Sequence, residues 1–129
     1  EDKNVNALIH TSLSEVVFID MALDWEQIDT LAPALIYVEN LHLVKNNCSV
    51  ICSRFTIPVY HFKLLKFVNL EANNICDWEE VDGFRKLPNL KRLTLNKNQI
   101  REVKHRDGWK ELYMLNLEDN LVDNMATFD

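Results

Sequence analysis

The sequence predicts an α/β repeat protein in which short parallel strands stack from one repeat to the next. One pattern of eleven residues recurs along the chain, and its apolar residues alternate as they do in a strand. The segments between the copies instead carry apolar residues at every third position, as short helices do. With 129 residues, of which 47% are hydrophobic and 26% charged, the chain has the composition of an ordinary globular domain. We expect residues 1–129 to form one such domain and to be a fragment of a longer protein.

Three copies of the pattern match L-x-x-L-x-L-x-x-N-x-L, with an aliphatic residue at each L. They are residues 65–75, 90–100 and 112–122. A weaker copy begins at Val38, and a degenerate copy begins at Leu13 and has Met21 where the asparagine is expected. The first positions of the five copies are 22 to 27 residues apart, which is within the range of leucine-rich repeats. The sequence therefore predicts a leucine-rich-repeat solenoid of about five repeats, beginning near residues 13, 38, 65, 90 and 112.

Each repeat is expected to contribute one short parallel strand to the concave face of the solenoid. The clearest strands are predicted at residues 65–70, 90–95 and 112–117, where alternate apolar residues can enter a shared core. The asparagine after each strand is expected to be buried, because its amide can donate and accept the hydrogen bonds that a buried turn needs. The structural asparagines are Asn46, Asn73, Asn98 and Asn120, and burial is predicted for Asn73, Asn98 and Asn120. Met21 cannot act in this way, so we expect the first copy to lie near an edge or to be distorted.

The segments between strands are expected to be short helices or irregular stretches on the convex side. An apolar residue at every third position predicts a short helix or 3₁₀ segment after two of the strands. The two stripes are Trp78, Val81, Phe84 and Leu87, and Trp25, Ile28 and Leu31. Both tryptophans are therefore predicted to be structural core residues. Pro33 and Pro88 are expected to end these helical segments. The β-branched and aromatic residues 51–62 favour an irregular connection.

The composition and the lack of known catalytic or phosphate-binding motifs argue against an enzyme, a bound cofactor and a nucleic-acid partner. The net charge of −6 is unsuited to binding phosphates. The chain contains no G-x-S-x-G, H-E-x-x-H or G-x-x-x-x-G-K-[ST] motif. The acidic residues of 77–82 are expected to favour the positive end of a helix dipole, which is a more plausible role than paired catalytic carboxylates. No apolar run reaches the roughly 20 residues that a membrane span needs.

The three cysteines indicate a reducing, cytoplasmic environment, because secreted domains usually carry an even set of disulfide partners. Cys48 and Cys52, flanked by His42 and His61, loosely resemble a zinc site. Packing is the preferred interpretation, because Cys48 occupies the apolar position after the repeat asparagine. We therefore expect no metal.

A repeat protein without a catalytic centre is expected to act through the solvent-facing positions of its strands. These are the third, fifth and seventh residues of each repeat. The candidate partner-binding residues are Phe67, Asn69, Glu71, Arg92, Thr94, Asn96, Met114, Asn116 and Glu118. Phe67 and Met114 are expected to be exposed apolar contacts, and Arg92 between them adds a planar hydrogen-bond donor.

Residues 65–100 read LKFVNLEANNICDWEEVDGFRKLPNLKRLTLNKNQI, and this string resembles the repeats of the tubulin-folding cofactor E (tubulin-specific chaperone E) family. In that family a strand and an asparagine turn are followed by a helix that begins Trp-acid-x-hydrophobic, and then by LP-x-L. Residues 24–28, DWEQI, are similar to the same helix start. The resemblance covers roughly residues 13–128, and Met21 departs from it.

The resemblance implies a cytoplasmic, cytoskeleton-associated chaperone that binds α-tubulin and assembles or dissociates the α/β-tubulin heterodimer. In the family the repeat domain lies between a CAP-Gly domain and a ubiquitin-like domain, and neither signature occurs in this chain. The resemblance implies no individual contact residue, and we expect a monomer. The alternative is another intracellular leucine-rich-repeat scaffold, such as a phosphatase-1 regulator, a dynein or axonemal adaptor, or a spliceosomal scaffold. Those proteins usually keep closer to about 22 residues per repeat.

Overall fold

The computed structural model describes residues 14–122, and the strands in this range form one parallel sheet. The strands follow the order of the sequence, β1-β2-β3-β4-β5, and each pairs in parallel with the next. They are β1 (Glu15–Ile19), β2 (Asn40–Val44), β3 (Phe67–Asn69), β4 (Arg92–Thr94) and β5 (Met114–Asn116). The predicted parallel strands, one per repeat, are therefore confirmed, although β3 to β5 are shorter than the predicted ranges. Leu13, the predicted start of the first repeat, lies outside the described residues.

Alternation along the strands builds the core on one face of the sheet. The fourth and sixth residues of the middle repeats are fully buried: Leu41, Leu43, Val68, Leu70, Leu93 and Leu95. The equivalent Leu115 and Leu117 of the last described repeat pack against this core but are only partly buried. The continuous apolar column explains why strands of three residues persist, because each is stabilised by its neighbours and not by its own length.

The same left-handed turn follows every strand. The eighth residue of each repeat has a positive φ: Asp20 (56°), Lys45 (56°), Ala72 (59°), Lys97 (61°) and Asp119 (57°). Residues other than glycine seldom adopt this conformation, so its recurrence at one repeat position is strong support for a shared backbone path. The five copies thus share this turn, including the degenerate first copy.

The asparagine that follows this turn joins two repeats through backbone hydrogen bonds. The Asn98 side-chain nitrogen donates to the carbonyl oxygens of Leu70 (3.0 Å) and Leu95 (2.9 Å). Its Oδ1 accepts from the backbone nitrogens of Asn73 and Ile75, both at 2.9 Å. One amide therefore satisfies backbone groups of its own repeat and of the preceding one.

Asn46 and Asn73 make the same kind of bonds, and both are buried, as is Asn98. The prediction of buried asparagines bonded to backbone is confirmed for Asn73 and Asn98. Asn46 Oδ1 accepts from the backbone nitrogen of Met21 at 3.0 Å, so the first turn is held by the asparagine of the next repeat. The prediction that Asn120 is buried is wrong, because it is half-buried. Among the described residues no further strand pairs with the far side of β5.

The first segment between strands begins with the helix α1 (Trp25–Leu31). Asp24 caps it, with its carboxylate accepting from the backbone nitrogen of Gln27 at 3.0 Å and the Gln27 side chain accepting from the Asp24 backbone nitrogen at 2.9 Å. The expectation that Pro33 ends the helical segment is wrong, because a 3₁₀ helix continues over Ala32–Leu35. Proline is accepted there because a first helical turn does not need its missing N–H.

The third segment between strands contains two 3₁₀ helices, Trp78–Glu80 and Asp82–Lys86, and Pro88 follows them as predicted. Residues 51–62 form turns and irregular backbone, also as predicted. The core prediction holds for both tryptophans, which are 1% (Trp25) and 3% (Trp78) exposed. Within residues 14–122 no helix is both long enough and apolar enough to cross a membrane.

Candidate protein-binding surface

The face of the sheet opposite the core, called here the outer face, presents three rows of side chains. The strand register places Glu15, Asn40, Phe67, Arg92 and Met114 in the first row, and Val17, His42, Asn69, Thr94 and Asn116 in the second. A third row, in which backbone hydrogen bonds continue the ladder, contains Ile19, Val44, Glu71, Asn96 and Glu118. All nine candidate residues lie in these rows, so the structure brings them to one face.

Phe67 and Arg92 form a stacked pair at the centre of the first row. The guanidinium carbon of Arg92 lies 4.3 Å from the centroid of the Phe67 ring. On the other side, His42 meets the same ring edge-on, with centroids 5.1 Å apart. A cation over an aromatic face is attracted by the ring quadrupole, so Arg92 is held over the Phe67 ring. The pair offers an apolar surface and a planar donor at the same place.

The expected exposure of the candidates needs two corrections. Phe67 and Met114 are partly exposed and not fully exposed, since side chains of neighbouring strands cover their flanks. Thr94, predicted to face solvent, is buried with 8% exposure. Its short side chain lies in the middle row between Asn69 and Asn116 of the adjacent strands, which shield it. Thr94 is therefore poorly placed for direct contact with a partner.

The polar candidates are partly engaged within the chain. The side-chain oxygens of Asn69 and Asn116 accept hydrogen bonds from the backbone nitrogens of Glu71 (3.0 Å) and Glu118 (2.9 Å). These bonds fix the backbone after each strand. Asn96 Oδ1 is buried and has no hydrogen-bond partner among the described residues. A buried acceptor without a partner lowers the stability of the fold.

The outer face also has an apolar end that the sequence prediction did not single out. Val17 and Ile19 of β1 are 50% and 54% exposed, and Ile19 pairs with the partly exposed Val44 of β2. The sequence carries a signal for this end, because β1 has apolar residues at both alternating sets of positions. The candidate surface therefore extends beyond the nine predicted residues to β1 and β2.

The side of the repeats away from the sheet carries an ionic network centred on Asp82, which is 6% exposed. Its carboxylate accepts from Trp78 Nε1 (2.9 Å), Arg85 Nε (3.1 Å) and Arg106 (2.6 Å). Burial alone would raise the pKa of Asp82, but these hydrogen bonds outweigh it and hold the pKa below its ordinary value. Arg106 also bonds Glu79 at 2.9 Å. This network links the third and fourth segments between strands.

The acidic residues of 77–82 thus have more specific roles than the predicted dipole interaction. Asp77 caps the 3₁₀ helix by accepting the backbone nitrogen of Glu79 at 3.1 Å. Glu80 accepts the backbone nitrogens of Ile51 (2.6 Å) and Ser53 (3.2 Å) of the preceding segment. These acids are structural, and they connect successive repeats.

Asp82 predicts a pH dependence of stability. Because its folded-state pKa is lowered, its contribution is present above the ordinary aspartate pKa of about 3.9 and is lost as the pH falls below that value. We expect Asp82→Asn to lower the free energy of unfolding by about 2 kcal/mol at pH 7. In urea titrations the difference from wild type should be constant above about pH 5 and should shrink as the pH falls from about 4 towards the lowered folded-state pKa. Glu79→Gln, at the exposed end of the network, is the control and should have a smaller effect. A difference that does not vary with pH would contradict this role.

The cysteines are free thiols in the structure. Burial raises the pKa of Cys48 to about 12 and that of Cys52 to about 11. Cys48 is fully buried, in agreement with the packing interpretation, whereas Cys76 is exposed. Within residues 14–122 no group of three or more histidine, cysteine or acidic side chains is arranged to hold a metal ion.

Two curated proteins are similar to the chain. It is 32% identical over 125 residues to tubulin-folding cofactor E of Arabidopsis thaliana, an alignment that covers 88% of the chain and 24% of that protein. It is 34% identical over 73 residues to Toll-like receptor 4 of Equus caballus, which covers 55% of the chain and 9% of that protein. The chain thus spans only a minor part of either relative. No family model and no solved structure matches. With the five parallel strands, these similarities indicate a leucine-rich-repeat-like domain for protein interaction.

Proposed function

We propose that the chain is a leucine-rich-repeat solenoid of the tubulin-folding cofactor E type, and that it binds α-tubulin during assembly or dissociation of the α/β-tubulin heterodimer. The observation that carries this proposal is the 32% identity over 88% of the chain to a protein named as a tubulin-folding cofactor. The second similarity covers a smaller part of the chain, 55%. The domain then acts as a non-enzymatic binding surface in the cytoplasm.

The outer face is the surface best suited to such a partner. Five strands about 4.8 Å apart give it a length of roughly 19 Å, enough to engage the surface of a folded protein. Apolar side chains at β1 and β2 are followed by the Phe67–Arg92 pair and by Met114. Aromatic residues, methionine and arginine are enriched where protein partners exclude water. The polar candidates on either side then form the rim of this contact.

The central test removes the stacked pair. We expect Phe67→Ala/Arg92→Ala to weaken capture of purified α/β-tubulin at least tenfold, because truncating a central interface anchor typically costs about 2 kcal/mol of binding or more. Truncating both side chains avoids a variant in which Phe67 or Arg92 remains without the other. Binding is measured by surface plasmon resonance on immobilised tubulin, with cross-linking to identify the subunit that is contacted. The thermal melting curve should change little, since both side chains are partly exposed.

The chain offers a matched control for this variant. Arg54 lies over the ring of Phe55 at 5.3 Å, which is a second arginine–phenylalanine pair, in the segment between β2 and β3. Arg54→Ala/Phe55→Ala should leave tubulin capture unchanged once the folded fraction is accounted for. Equal losses in both double variants would contradict binding by the outer face. If the wild-type chain and a longer parent protein both fail to retain tubulin, the alternative of another intracellular repeat scaffold replaces the proposal.

A further inference from the structure

All three tyrosines of the chain are exposed, and each lies in a segment that leads into a strand. Tyr37, Tyr60 and Tyr113 are 60%, 69% and 73% exposed. Tyr37 and Tyr60 precede β2 and β3, and Tyr113 immediately precedes β5. Tyrosine exposes a large apolar ring, and its enrichment at protein interfaces reflects the contact area that this ring provides. Three exposed rings in the segments that lead into the strands, and none in the core, mark this end of the strands as a second surface of interest.

Three lysines occupy the same edge, between the tyrosines. Lys66 and Lys91 each lie one residue before a strand, as Tyr113 does, and a backbone ladder joins the three residues. The Tyr113 nitrogen donates to the Lys91 oxygen at 2.9 Å, and the Lys91 nitrogen donates to the Lys66 oxygen at 2.8 Å. Lys63 lies with its Nζ 4.7 Å from the centroid of the Tyr60 ring. We call this surface, made of Tyr37, Tyr60, Lys63, Lys66, Lys91 and Tyr113, the strand-start edge.

The strand-start edge carries an excess of positive charge, whereas the net charge of the whole chain is negative. The chain carries a net charge of −6, whereas this edge presents three lysines and two neighbouring acids. The acids pair loosely with two of the lysines: Lys66 with Glu39 at 3.4 Å and Lys91 with Glu111 at 3.8 Å. All four of these side chains are at least 40% exposed, and ion pairs of this kind contribute little stability. An incoming carboxylate can therefore replace Glu39 or Glu111 at little cost.

We propose that the strand-start edge binds an extended, acidic peptide segment of a protein partner. Its residues precede the second to fifth strands, so the edge spans three strand spacings, or roughly 14 Å. That length matches four to five residues of an extended chain, whose rise is about 3.3 Å per residue. The carboxylates of such a segment meet the lysines in the middle, and its backbone or apolar groups pack on the tyrosine rings at the ends. This surface borders the first row of the outer face and shares no residue with it, so the two can bind different parts of one partner.

The test uses the 129-residue chain and a blocked ten-residue peptide of alternating glutamate and glycine. Amide shifts in ¹H–¹⁵N spectra should move most at residues 37–39, 60–66, 91 and 113 as this peptide is added. Lys63→Gln/Lys66→Gln/Lys91→Gln should weaken binding about tenfold, and raising the salt from low to physiological concentration should weaken it further. Tyr37→Ser/Tyr113→Ser should reduce binding without changing its salt dependence.

The control is a matched change of two exposed lysines near the other end of the strands, Lys45→Gln/Lys97→Gln, which should leave peptide binding unchanged. Equal weakening by this control, or shifts centred on the outer face, would overturn the proposal. So would self-association in ultracentrifugation that the tyrosine variant abolishes, because the edge would then be an interface between two copies. The Phe67→Ala/Arg92→Ala variant should bind the peptide normally, so failure of the tubulin proposal and failure of this one can be told apart.

Discussion

Replacement of Asn98 by alanine is expected to lower the free energy of unfolding by about 3–4 kcal/mol. The side chain is 3% exposed and bonds backbone groups of Leu70, Leu95, Asn73 and Ile75, which belong to two repeats. Alanine cannot replace any of these bonds, and each buried backbone group left without a partner costs about 1–3 kcal/mol. Partial relaxation and entry of water keep the total below the sum of the individual costs.

Asn120→Ala is the matched control for this change. Asn120 makes bonds of the same kind, donating to the Leu95 oxygen (2.8 Å) and accepting from the Ile100 nitrogen (3.0 Å), but it is only half-buried. Water can replace its bonds, so we expect a loss of about 1 kcal/mol. Both variants are measured by urea unfolding followed by circular dichroism. Equal losses of unfolding free energy in the two variants would show that burial of the bonded backbone groups does not determine the size of the loss.

The features that the sequence predicted correctly are those encoded within a single repeat. Alternating leucines specify a strand and its buried face, so the position of the strands and the membership of the outer face follow from a short pattern. The asparagine and the two tryptophans recur at defined distances from that pattern, which was enough to place Asn73, Asn98, Trp25 and Trp78 in the interior.

The features that it did not predict depend on which residues of successive repeats meet. Asp82 and Arg106 are 24 residues apart, and Glu80 bonds to Ile51, 29 residues earlier. Because the repeats differ in length, residues that meet in successive irregular segments are not separated by a constant number of positions. The sequence alone therefore does not predict such pairs. The stacking of Arg92 on Phe67 has the same origin, since it requires both the register of β3 and β4 and the choice of rotamers. The rows of the outer face were predictable, but the exposure of each side chain within them was not.

Replacement of Trp78 by alanine is expected to lower the free energy of unfolding by about 3–5 kcal/mol. The side chain is 3% exposed, packs on Trp109 with ring centroids 5.9 Å apart, and donates its indole N–H to buried Asp82. Alanine leaves a large cavity and also removes one of the donors that hold the Asp82 carboxylate. For a domain with a typical stability of about 5–15 kcal/mol this loss is large, so unfolding is best followed at low temperature.

Trp78→Phe separates the two contributions, because it keeps most of the aromatic packing and removes the N–H donor. We expect it to lose about 1–2 kcal/mol, and to retain the ring contact with Trp109. Trp109→Ala is the second control, and it should cost less than Trp78→Ala because Trp109 is only partly buried. All three changes lie away from the outer face, so tubulin capture per folded molecule should match wild type. A loss of capture in the fully folded Trp78→Phe variant would instead place the binding surface on the side of the repeats that contains Trp78 and Asp82.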